Sequence, residues 1–126
     1  MFQIDVMSRI PVYEQIIDQV EKFILTGIYQ AGDKIPSVRV LSMELSVNPN
    51  TIQKAISELD RRGMIYSVPG KGCFISDKAF KALSIHKRGG LMDIKEKLRE
   101  LVLAGVTKEE LIQCINEIYE EEEKTE

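Results

Sequence analysis

The chain has 126 residues, 44% of them hydrophobic and 29% charged, a globular mixture sized for one compact domain or a small domain with an appendage. One histidine, His86, all but excludes a histidine-based metal site or triad, and two cysteines, Cys73 and Cys114, form no disulfide framework, so an enzyme is not expected. The net charge of −3 is unevenly spread: residues 1–32 carry two basic and four acidic side chains, residues 33–88 ten and five, and residues 89–126 five and eleven, so only the middle suits a polyanion.

The N-terminus, Met1-Phe2-Gln3-Ile4-Asp5, lacks the charged and then apolar segments of a secretory leader, and no apolar run reaches the ~20 residues of a membrane helix. A cytoplasmic protein is expected. Phe2, Ile4 and Val6 alternate, which reads as an extended arm ending at Ser8 and Pro11. Tyr13, Ile16, Ile17, Val20 and Ile24 then recur every three or four residues, one face of a first helix stopping at Gly27. Lys34-Ile35 forms a short extended bridge before Pro36. Ser37 is a good N-cap for a short second helix with the stripe Val38, Leu41 and Leu45, ending near Ser46-Val47. Asn48-Pro49 restarts the chain, because Asn caps well and Pro suits a position whose N–H has no partner. The third helix runs to about Arg62, with Ile52, Ile56 and Leu59 inward. Two helices joined by so tight a turn are a helix-turn-helix candidate.

Met64–Val68 and Cys73–Ile75, on either side of Pro69-Gly70-Lys71-Gly72, read as a β-hairpin. A hairpin directly after a helix-turn-helix is the wing of a winged helix. Lys78–Ile85 is a short amphipathic helix or linker, broken at Arg88-Gly89-Gly90. Leu91, Ile94, Leu98, Leu101 and Val102 make another stripe, stopped by Gly105. Thr107 and Glu110 form a capping box for a last helix carrying Leu111, Ile112, Ile115, Ile118 and Tyr119, and Glu120–Glu123 dissolve into a solvated acidic tail. Two such helices can hardly bury both stripes alone, so Leu91, Ile94, Leu98, Leu101, Leu111, Ile115 and Ile118 are expected to pack on a second copy. The expected fold is mostly α with a small β-hairpin: a winged helix-turn-helix DNA-binding domain over 1–76, then a helical dimerisation hairpin over 77–126.

Pro36–Leu41, Val47–Ala55 and Gly70–Ile75 resemble the winged-helix domain of GntR-family transcriptional regulators. Ile4-Asp5, Ser8 and Pro11–Ile16, with the Asn48–Thr51 segment, look like its YtrA-like subfamily. Length sets the chain apart from aminotransferase-fused relatives of similar N-terminus. The resemblance implies a homodimeric DNA-binding repressor, in this subfamily often of ABC-type transporter genes. It implies DNA contacts from Arg39, from Asn48, Asn50, Thr51, Gln53 and Lys54, and from Gly70, Lys71 and Gly72. The chain departs from the family where many relatives have arginine in place of Pro49 and Gln53.

The residues support those positions independently. Arg39 lies off the apolar stripe of its helix, and a guanidinium can grip phosphate or guanine with two bonds. Asn50 and Thr51 sit in a first turn whose free N–H groups and dipole favour phosphate, although Asn48 and Thr51 also serve as plain caps. Gln53 and Lys54 face away from the core, and Lys71 between glycines can approach a duplex closely. Arg61 and Arg62 complement the helix dipole, Cys73 is a small buried strand residue, and His86 is a linker residue. Dimers would read a pseudo-palindromic operator with half-sites ~34–36 Å apart. The alternative is a winged helix used for protein interaction. The outward row Arg39, Asn50, Gln53, Lys54 and Lys71 speaks against it. No cofactor is implied and no small-molecule effector is identified.

Overall fold

The computed structural model describes residues 1–124 and divides into two compact units, Met1–His86 and the chain from Lys87 onward. The first unit holds α1 (Val12–Leu25), α2 (Val38–Leu45), α3 (Pro49–Arg61), the strands β1 (Ile65–Val68) and β2 (Gly72–Ile75), and most of α4 (Ala79–Arg88). Ile16, Ile17, Val20 and Ile24 of α1 meet Leu41 of α2, Ile52, Ala55, Ile56 and Leu59 of α3, and Ile65 and Ile75 of the hairpin in one core. Each set follows the period of its element, three and four in the helices and two in the strands.

The N-terminal arm differs from the expected alternation. Phe2 and Ile4 pack on the core, but the chain turns at Asp5 and leaves Val6 81% exposed. Gln15 and Gln19 hold the arm. Gln15 accepts from the Asp5 N–H at 2.9 Å and donates back to the Asp5 carbonyl at 3.0 Å, and Gln19 makes the same pair of bonds with Gln3. The geometry fits because four residues rise about 6 Å along a helix and two residues span about 6.6 Å of extended chain.

Local chemistry sets the helix-turn-helix. Ser37 Oγ accepts from the Val40 N–H and Asn48 Oδ1 from the Asn50 N–H, capping α2 and α3. Between them Ser46 adopts φ 54°, ψ 44°, and Ser42 Oγ donates to the Val47 carbonyl at 2.6 Å. β1 and β2 pair antiparallel from Ile65 opposite Ile75 to Val68 opposite Gly72. The turn places Pro69 and then Gly70 (φ 76°) between Val68 and Lys71, whose N–H reaches the Val68 carbonyl at 2.9 Å. Residues 32–35 run along the free edge of β2: the Gly32 N–H donates to the Ile75 carbonyl, the Ile75 N–H to Asp33, and the Ile35 N–H to Cys73.

Ala79 and Leu83 bury α4 against the same core, so the first unit extends to His86, past the expected division at 76/77. Instead of ending near Ile85, α4 continues to Arg88. The second unit holds α5 (Gly90–Leu103) and α6 (Lys108–Lys124), with Thr107 and Glu110 exchanging the two bonds of the capping box at 3.2 and 3.3 Å. Glu120–Glu123 belong to α6 rather than to a tail, and residues 125–126 lie outside the described residues. Among the described residues no helix is long and apolar enough to cross a membrane.

Candidate nucleic-acid interface

At 100° per residue, Asn50, Gln53, Lys54 and Ser57 of α3 share an arc of about 100°, opposite the buried Ile52, Ala55, Ile56 and Leu59. All four are exposed. Gln53 Nε2 donates to Ser57 Oγ at 3.1 Å, one turn along, which orients its amide. Lys54 marks the edge of the stripe nearer α1, where its Nζ lies 3.9 Å from the centroid of the Tyr13 ring. The groove there, of about 680 Å³, also presents Glu14, Asp18 and Glu58. Tyr13 donates its hydroxyl proton to Glu14 at 3.1 Å, and that bond raises the phenol's pKa. The position of Lys54 is therefore fixed by a ring on another helix, in a setting of mixed charge.

The first turn of α3 offers less to an anion than its sequence suggests. Pro49 has no N–H, Asn48 caps the Asn50 N–H at 2.8 Å, and the Thr51 and Ile52 N–H groups reach the Asn48 carbonyl at 3.0 and 3.3 Å. The expected free backbone donors are already engaged, so any recognition by this end rests on the helix dipole and on side chains. The exposed Asn50 amide makes no hydrogen bond to another described residue, and Thr51 is half-buried.

Arg39 on α2 is exposed and makes no hydrogen bond or ion pair among the described residues. Lys71 is exposed at the hairpin tip, flanked by Gly70 and by Gly72 at φ 119°. Lys34, which sequence reasoning placed only on an extended bridge, reaches the same tip. A Cβ at Gly72 would lie 2.9 Å from Lys34 Cε. Its alignment as the bridge partner of Phe74 is a long-range pairing that no local pattern announces.

Arg61 and Arg62 do more than oppose the helix dipole. Both bond to Glu58, at 2.5 to 3.0 Å, and hold its carboxyl at about 2, against an ordinary value of 4.5. Arg62 also reaches Glu21 of α1 at 3.1 Å, a carboxylate only 8% exposed, and so ties the end of α3 to α1. Cys73 is half-buried rather than buried, its Sγ 3.4 Å from Ser67 Oγ. Among the described residues no group of three or more His, Cys, Asp or Glu side chains comes together that could hold a metal.

In the second unit α5 buries no residue. Leu91, Ile94, Leu101, Ile115 and Ile118 are between 41% and 61% exposed, and Leu98 and Leu111 half-buried. These are the residues expected to pack on a second copy.

The profile of bacterial regulatory proteins of the gntR family matches residues 12–75. The chain is 44% identical over 122 residues to the HTH-type transcriptional repressor YtrA of Bacillus subtilis (strain 168), covering 94% of this chain and 92% of that one. Its fold resembles the crystal structure of a transcriptional regulator from Oenococcus oeni, with a TM-score of 0.73 at 30% identity over 94% of this chain and 99% of that one. It also resembles the AraR DNA-binding domain solved in complex with operator ORE1, with a TM-score of 0.52 at 30% identity over 60% of this chain and 93% of that one.

Proposed function

This chain belongs to the GntR family, in its YtrA-like subfamily, and on that premise we propose that it represses transcription as a homodimer bound to a pseudo-palindromic operator. It is a DNA-binding transcriptional regulator and not an enzyme. The observation that carries the finer reading is an outward polar surface on a helix-turn-helix. Arg39 of α2, Asn50 and Gln53 of α3 and Lys71 of the wing are all exposed while the opposite faces are buried. The guanidinium suits phosphate or guanine, the ammonium suits phosphate, and the two amides suit base edges. Lys54 joins this set from the α1 side, and Asn48, Thr51, Gly70 and Gly72 shape the backbone that presents it.

The exposed Leu91, Ile94, Leu101, Ile115 and Ile118 support dimerisation through α5 and α6, because apolar stripes of this extent are costly to leave in water. A two-fold dimer would place two copies of α3 about one helical turn apart on the duplex. The protein would then act in the cytoplasm, where its operator lies. The test is capture of sheared DNA from the protein's own source at ~150 mM salt, followed by sequencing. Enrichment of a few fragments sharing an inverted repeat is expected. Uniform retention of all fragments would contradict an operator, and no retention would favour a protein-interaction role.

A further inference from the structure

We propose that Lys34, in the loop between α1 and α2, is a further phosphate contact of the wing. The proposal rests on the DNA-binding reading above and adds a residue to it. Lys34 belongs to neither helix of the helix-turn-helix and to neither strand of the hairpin. Its backbone is nonetheless fixed at the sheet: the Asp33 carbonyl accepts from the Ile75 N–H at 2.8 Å, the Ile35 N–H donates to the Cys73 carbonyl at 3.0 Å, and Lys34 itself pairs with Phe74. Paired residues on neighbouring strands send their side chains to the same face, so Lys34 shares the face of Phe74 and of the stacked Tyr66.

From there the side chain runs to the tip of the hairpin. A Cβ at Gly72 would lie 2.9 Å from Lys34 Cε and 3.7 Å from its Nζ, so the ammonium comes to rest beside the glycine that follows Lys71. Glycine suits position 72 because φ is 119°, and the lysine end lies over its Cα. Lys34 is exposed and, among the described residues, makes no hydrogen bond or ion pair through its ammonium. No ion pair joins it to the adjacent Asp33, whose carboxylate turns to the Gln30 N–H at 2.8 Å. The Lys34 ammonium thus rests beside Gly72, on the turn that also carries the exposed Lys71. Two cationic side chains at one turn are favourable against a row of phosphates. An ammonium is a point charge without the planar fork that reads a base, so the contact is to the backbone and independent of sequence.

The test uses the full chain and two fluorescein-labelled duplexes of about 40 base pairs, room for two half-sites. One duplex comes from the most enriched captured fragment and the other is of random sequence. Binding is followed by anisotropy from about 50 to 300 mM salt. Lys34→Met keeps most of the apolar stem and removes the charge. It should weaken binding by a similar factor on both duplexes and flatten the plot of log K against log salt by about one. Lys34→Arg should restore the slope, and thermal melting of both variants should match the parent. A Lys34→Met variant with the parent's slope, beside a Lys71→Met variant that loses slope, would overturn the proposal and leave the DNA-binding reading standing. A Lys34→Arg variant as impaired as Lys34→Met would also overturn it, since the charge would then not be what matters. If the parent chain binds neither duplex, both readings fail.

Discussion

Leu83→Ala tests whether α4 is structurally part of the DNA-binding unit. Leu83 is 2% exposed and shares the core with Ile24, Met64 and Ile75, while its neighbours Phe80 and Ile85 are 57% and 62% exposed. Truncating a fully buried leucine removes its transfer free energy and leaves a cavity, a loss of about 3 kcal/mol. Against a total stability of about 5–15 kcal/mol this is a large fraction. The measurement is urea unfolding of the fragment 1–88, which keeps all of α4 and removes the region proposed to dimerise, so that protein concentration does not shift the midpoint. With a slope of about 1 kcal/mol per molar for a domain of this size, the midpoint should fall by about 2–3 M. Phe80→Ala should move it by well under about 1 M. Equal, small shifts for both variants would refute the placement of α4 in the core. By the same reasoning a fragment ending at Asp77 should be much less stable than one ending at Arg88.

Arg39→Ala should weaken binding to the captured operator by about 1–3 kcal/mol with no change in the urea midpoint, as gel-shift titration and unfolding together would show. Asn48→Ala removes the cap of α3 and should cost about 1 kcal/mol in urea unfolding. Glu58 carries a pH dependence of definite sign. Its folded pKa, about 2, lies below the ordinary 4.5, so its contribution is complete above pH 4.5 and is lost as pH falls toward 2. The difference in melting temperature between the parent and Glu58→Gln should therefore be largest near neutrality and vanish at the acid end. The fragment 1–88 should sediment as a monomer and bind half-sites weakly; a dimeric fragment would contradict the proposed role of α5 and α6.

What the sequence disclosed was whatever short-range chemistry decides. Ser37, Asn48 and the Thr107–Glu110 box announce their helix starts, because a cap is a bond to a group two or three residues away. The buried stripe of α3 follows from a period of 3.6, and the hairpin from Pro69-Gly70. The features that escaped are joined across long stretches of chain. Glu21 finds Arg62 forty-one residues away, and Lys34 finds Gly72 across the free edge of β2. Lys54 is drawn to the Tyr13 ring of another helix, which no spacing within α3 reveals. Val6 kept the alternation of a strand but not its place, because the backbone turns once Gln15 and Gln19 have satisfied residues 3 and 5. The free donors expected at the start of α3 were consumed by the same Asn48 that made that start legible.

The most direct test of the central claim is a hydroxyl-radical footprint of the full chain on the most enriched captured fragment. Two symmetric protected segments centred about one helical turn, ~34–36 Å, apart are expected, and both should be lost with Arg39→Ala at the same protein concentration. A single protected segment, or protection that spreads evenly along the fragment, would contradict a dimer presenting two copies of α3 to successive major grooves.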